Sequence, residues 1–258
     1  MTKQKCAEGQ ADGIFSPAAQ WPRFVRRREL KCRQHCTGTK KCINMSANIE
    51  NTEKIVAFLR KSFKKLISRI GVIQIGQKEQ FPFGWRKAAK GRTVWRILEE
   101  LITQNLEANF EILGFEKVKT SESEVSVYDF KCRLPNLDIN IFVNVKSSVK
   151  GSKTSKDDIS KANELIKFYE EDINQELFIA TFVINFNDDM TIVMEDCFVM
   201  PIAWIPDVYV NPSNNGNLQS SKYKDISESV KRTNKEFVKE LKSQIEIANK
   251  KKKSKQNT

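Results

Sequence analysis

Apolar residues recur at Ile55, Leu59, Phe63, Leu66, Ile67 and Ile70. That is the spacing of one helical face and predicts a packing helix over 52–70 with a basic outer side. The stretch Gln77 to Gly91 mixes aromatics, Pro, Gly and cations and reads as a loop. Thr93 then caps a second helix to about Phe110, with Val94, Trp95, Leu98, Leu101, Ile102 and Leu106 inward. Its polar side carries Arg92, Arg96, Glu99 and Glu100.

Beyond that helix the period falls to two. Residues 124–130 put Val125, Val127 and Asp129 on one face of a strand. Residues 138–146 put Ile139, Ile141, Val143 and Val145 on one face and Asn140, Phe142, Asn144 and Lys146 on the other. Lys131 to Leu137 joins the two strands through a turn at Pro135-Asn136. A third helix is expected from Ser155, with Asp157 and Asp158 complementing its N-terminal dipole and Ile159, Ala162, Ile166 and Tyr169 repeating helically. Strands follow over 177–186 and 191–199, separated by an Asn187-Asp188-Asp189 turn. An irregular segment then leads to a last helix from about Lys224 to Asn249. This order predicts an α/β fold, a mixed central sheet flanked by helices.

The 258 residues are 29% charged and 40% hydrophobic with a mean hydropathy of −0.50, as in a water-soluble chain of one large or two small domains. The longest apolar runs, Leu177 to Ile184 and Cys197 to Pro206, fall short of the roughly 18 residues of a membrane span. With no signal-peptide pattern at the N-terminus, a cytoplasmic protein is expected. The net charge of +12 is unevenly spread. Residues 1–45 carry 10 basic and 3 acidic side chains, residues 222–258 carry 12 and 5, and the body between them is near neutral. Basic ends on a neutral body suit a polyanionic partner. Residues 1–45 read as a disordered basic extension, with Met45 as a natural start, 46–249 as one domain, and 250–258 as a basic disordered tail.

Cys32, His35, Cys36 and Cys42, with Cys6 upstream, offer zinc-ligand types at a spacing that fits zinc poorly. His35 is the chain's one histidine, which disfavours a Ser-His-Asp hydrolase. No G-x-x-x-x-G-K-[ST] loop occurs, so no nucleotide cofactor is expected. The constellation with chemical content is Asp129 on one strand and Asn144-Val145-Lys146 on the next. Residues two apart share a strand face, so a carboxylate, an amide and a lysine converge. A carboxylate there can hold a divalent cation, and the lysine can position a water for attack on phosphorus.

Tyr128-Asp129, Asn144-Val145-Lys146-Ser147-Ser148 and the preceding helix with Glu99 and Glu100 resemble the core of the PD-(D/E)xK nucleases, above all type II restriction endonucleases. The resemblance covers roughly residues 80–200. It implies a restriction-endonuclease-like core in which Asp129 and Asn144 hold Mg²⁺, Lys146 is the catalytic lysine and Glu99 or Glu100 is an accessory acid. Two positions depart from the pattern: Tyr128 stands where Pro is common, and Asn144 replaces Asp or Glu, leaving one charged ligand fewer. Some enzymes of this kind carry Asn-x-Lys here, with the amide oxygen able to face the cation.

Lys150, Ser152 and Lys153 adjoin this site with groups suited to phosphate oxygens. The uncharged segment Tyr209 to Ser221 offers Asn214, Asn215, Asn217 and Gln219 for base edges. The function expected is Mg²⁺-dependent, sequence-specific cleavage of double-stranded DNA within a restriction-modification system. A palindromic site would be read by a homodimer. Its contact would be made by the helix with Trp95 and Leu98 and by the last helix with Ile226, Val230, Phe237, Leu241 and Ile245. The alternatives are an inactive DNA-binding protein on the same fold and a structure-selective repair or recombination nuclease.

Overall fold

The computed structural model describes residues 49–256 except 87–89, 124–125, 138, 152–155 and 214–215. All of them belong to the unit Cys42–Thr258. Cys6, Cys32, His35, Cys36, Cys42 and Met45 lie outside the described residues, as do Ser152, Lys153, Asn214 and Asn215.

Helix α1 (Ile49–Ile70) follows its apolar period, with Ile55, Leu59, Phe63 and Leu66 wholly buried. Strand β1 (Val72–Gln74) follows, and α2 (Lys90–Leu113) buries Val94, Leu98, Ile102 and Leu106. Next come β2 (Lys117–Thr120), β3 (Phe130–Arg133), β4 (Ile141–Val149) and β5 (Asp157–Lys161). The chain continues through α3 (Ala162–Glu171), β6 (Glu176–Phe186), β7 (Thr191–Pro201), β8 (Tyr209–Val210), β9 (Asn217–Ser220) and α4 (Asn234–Gln256).

Six strands form the central sheet in the order β1-β7-β6-β4-β3-β2. The β4–β6 pair is parallel and the other four are antiparallel, so the sheet is mixed. A parallel pair requires a crossover, and here β5 and α3 supply it. On one face Ile141, Val143, Val145, Phe178, Ala180 and Phe182 pack with the apolar sides of α1 and α2. On the other, Phe142, Leu177 and Ile179 pack with Leu165 and Phe168 of α3 and Phe237 and Leu241 of α4. The period-two alternation of β4 thus divides its side chains between two cores. Phe63 joins helix to sheet, its ring 6.3 Å from that of Phe130 and 5.6 Å from that of Phe182. The fold is α/β with a mixed central sheet flanked by helices, and no described helix is long and apolar enough to cross a membrane.

Four local expectations are corrected. Among the described residues of the strand expected over 124–130, only Phe130 is in a strand, β3 continuing to Arg133, because β3 pairs with the unforeseen edge strand β2 and Asp129 marks where the ladder stops. Asp157 and Asp158 do not open a helix: they lie in β5, where Asp157 accepts from Tyr223 and Lys224, and α3 begins at Ala162. The segment before the last helix contains β8 and β9, which join β5 in a separate three-stranded sheet, order β5-β9-β8. The last helix starts at Asn234 and continues through residues 250–256, expected as a tail. Ile226 and Val230 therefore precede α4, and Leu98, Phe237 and Leu241 are buried within the chain and unavailable to a second copy.

Candidate active site

The ladder between β3 and β4 ends at Phe130–Val143. Asp129 still donates its backbone N–H to the Val143 carbonyl at 2.9 Å, but its carboxylate takes over as the next acceptor. Oδ2 receives the Val145 N–H at 2.5 Å, a bond that backbone would make if the strands stayed paired. From there the strands diverge and one edge of β4 opens into a cleft of about 440 Å³. Asp129, Asn144, Val145 and Lys146 line one wall together with Trp95, Arg96 and Glu99 of α2. The small sheet and the start of α3 bring Asp158, Ser160, Lys161, Glu164 and Asn217 to the same cleft.

Asn144 is oriented by its surroundings. Its Nδ2 donates to the Val127 carbonyl at 3.0 Å, which fixes the two ends of the amide. Its Oδ1 is buried and has no hydrogen-bond partner among the described residues. An acceptor left in that state costs about 1–3 kcal/mol, so this oxygen beside the cleft would gain from a bound donor or cation. Lys146, two residues on and half-buried, makes no hydrogen bond or ion pair among the described residues.

The two carboxylates feel each other. Burial, then the neighbouring Asp129 charge, pushes the Glu99 carboxyl up to about 7 against the pull of Lys146 and Arg96. Burial also raises Asp129, opposed by the Val145 N–H, Lys146 and Arg96. Two half-buried to buried acids therefore share one cleft with two cations, and ionising Asp129 raises the cost of ionising Glu99. Glu100 accepts from Gln104 at 2.7 Å on the exposed side of α2, so Glu99 is the acid of that pair in the cleft.

Among the described residues no three His, Cys, Asp or Glu side chains form a metal-ligating group. The donor set here is two carboxylates and one amide oxygen, all hard ligands. Mg²⁺ is commonly bound by one or two carboxylates with water and phosphate completing its shell, and the orphaned Asn144 oxygen suits such an ion. Asp129, Asn144 and Glu99 could hold it.

The remaining predicted site residues are scattered. Lys150 is exposed and pairs with Glu195 at 2.9 Å, so its charge is already engaged. Gln219 is tied into the small sheet, accepting from Asn211 at 3.2 Å and donating to Asp158 at 2.7 Å. The segment expected as a free loop is thus a strand at Asn217 to Ser220, and of its amides Asn217 reaches the cleft. Asn217 Oδ1, like that of Asn144, is buried without a partner among the described residues. Sequence reading missed Trp95 and Arg96 as cleft residues, although the arginine rests over the indole at 4.0 Å. It also missed Ser160, Lys161 and Glu164, because D-D-I-S-K carries one apolar residue and no period.

The fold and cleft define a mixed-sheet α/β protein with an acid, amide and lysine cluster at a strand edge. No family model matches the chain, and no curated protein does. A solved structure it is similar to is the NlaIV restriction endonuclease, at 13% identity and a TM-score of 0.37, covering 65% of this chain and 66% of that one. The match thus spans just under two thirds of that enzyme. A likeness at that level bears on neither site nor activity, which rest on the side chains themselves.

Proposed function

We propose that the protein is a Mg²⁺-dependent endonuclease that hydrolyses phosphodiester bonds of double-stranded DNA, in the manner of a type II restriction enzyme. The observation that carries this reading is the buried, unpartnered Oδ1 of Asn144 beside two mutually repelling carboxylates, Asp129 and Glu99, with Lys146 unpaired in the same cleft. Mg²⁺ would be held by Asp129 and Asn144, with Glu99 as a further ligand, and when bound it supplies charge stabilisation at the phosphoryl oxygens. The chain's own groups do the rest. The Val145 N–H and the Val127 carbonyl hold Asp129 and Asn144 in place. Lys146 orients the attacking water and stabilises the charge that grows on the phosphate. Glu99, its carboxyl pushed up to about 7 by burial and Asp129, would ionise more readily beside a cation and so could serve as that further ligand.

DNA contacts are proposed for Asn217, which lines the cleft, and for Ser152, Lys153, Asn214 and Asn215, which lie outside the described residues; Lys150 and Gln219 would join them only by giving up Glu195 and the Asp158 and Asn211 bonds. The partner is duplex DNA, the working unit a homodimer on a palindromic site, the setting the cytoplasm and a restriction-modification system.

A supercoiled-plasmid digest in Mg²⁺ and in EDTA tests the reading. Discrete fragments in Mg²⁺ alone support it. Cutting confined to branched substrates would make the protein a structure-selective nuclease. Binding without cutting would mean that Asn144 records lost chemistry and that the protein is a DNA-binding module.

A further inference from the structure

Lys146 shares its cleft with a second lysine. Strand β5 ends at Lys161, in register with Asn217 of β9, and its side chain lines the cleft. The acids around it are already engaged: Asp158 accepts from Gln219 at 2.7 Å, and Glu164 accepts from Lys167 at 3.0 Å. Lys161 makes no hydrogen bond or ion pair among the described residues. It also occupies the cap position of α3, with no side-chain capping bond. A cation there faces the positive end of the helix, an unfavourable placement that an anion held between them would reverse.

The cleft is about 440 Å³, within the range that holds one small ligand and far too small for a duplex. Lys146 of β4 and Lys161 of β5, lining one cleft from different elements, would therefore meet a single strand. We propose that Lys161 holds a second phosphate of the strand being cut, next to the one served by Lys146, so that the site takes successive phosphates of one strand. The proposal rests on the nuclease reading above and deepens it by naming how the substrate strand is gripped.

The test compares wild type, Lys161→Gln, which keeps most of the stem and drops the charge, and Lys161→Arg. Binding of a fluorescent random-sequence duplex is titrated against salt in EDTA, so that no cutting intervenes. Each phosphate contact contributes about 0.9 to the slope of log affinity against log salt. Lys161→Gln should lower the slope by about that amount and weaken binding about 10-fold at low salt, and Lys161→Arg should restore both. In Mg²⁺, Lys161→Gln should raise KM about 10-fold with kcat within about 2-fold, unlike a change at Lys146. A merely structural role would shift the melting temperature and leave the slope alone. An unchanged slope and KM in a protein that still cuts DNA overturns the Lys161 site and leaves the nuclease reading standing. A wild type that neither binds nor cuts DNA overturns the reading beneath it.

Discussion

The Asn144 amide is held by the Val127 carbonyl, and this decides what a charge at that position does. Asn144→Asp loses the donor and sets a carboxylate against both that carbonyl and Asp129. In EDTA the variant should be less stable by about 1–3 kcal/mol, and Mg²⁺ should restore much of the loss by occupying the space between the acids. Thermal melts of both proteins with and without Mg²⁺ decide the matter, and a variant as stable as wild type in EDTA would show that the Val127 bond carries no weight. A second residue acts far from the cleft. Glu176, 4% exposed at the start of β6, accepts from Thr52 at 3.2 Å, and burial lifts its carboxyl to about 7. A raised carboxyl binds its proton more tightly in the folded chain. Its stabilising contribution is therefore full below the ordinary carboxylate range and is lost as pH rises through about 7, on the order of 3 kcal/mol in all. Glu176→Gln should flatten the fall in stability between about pH 4.5 and about pH 7. A variant that keeps the wild-type slope in urea unfolding would place the titration elsewhere.

The elements show why some of this was readable and some was not. Helix α1, β4, β6 and β7 have strong periods, since each packs one face or both against a core, and all four emerge from the sequence within a few residues of their ends. The Asp129, Asn144 and Lys146 cluster was legible for the same reason: alternation along β4 places two of its members on one face. Strands β2, β5, β8 and β9 are two to five residues long, and each sends a single residue, Val118, Ile159, Val210 or Leu218, to a core, too few to make a period. Their pairing is held by cross-strand bonds such as Gln219 to Asp158, which no local pattern encodes. Hence the part of the cleft lined by Ser160, Lys161 and Glu164 escaped notice. The two amides of β9 should also separate on substitution. Gln219→Ala breaks bonds to Asp158 and Asn211 and should cost about 1–2 kcal/mol in urea unfolding. Asn217→Ala removes an oxygen with no partner, so stability should hold while cognate DNA binding falls by about 1–3 kcal/mol. Equal destabilisation of the two would reduce Asn217 to a part of the sheet.

At the scale of the whole molecule, charge governs reach and the cleft governs chemistry. A chain beginning at Met45 drops 10 basic and 3 acidic side chains with residues 1–44, lowering the net charge from +12 to about +5. It should keep the fold, whose described core starts at α1, and lose affinity for random DNA at low salt without losing cleavage. An inactive Met45 form would show that the extension takes part in the site. Lys146→Ala isolates the chemistry itself. Wild type and variant are assayed side by side on supercoiled plasmid in Mg²⁺, and their duplex affinities are measured in EDTA. Cutting should disappear in the variant while affinity falls by no more than about 10-fold at low salt, the share of one phosphate contact among many. Cutting by the variant at the wild-type rate would contradict the assignment of the active site.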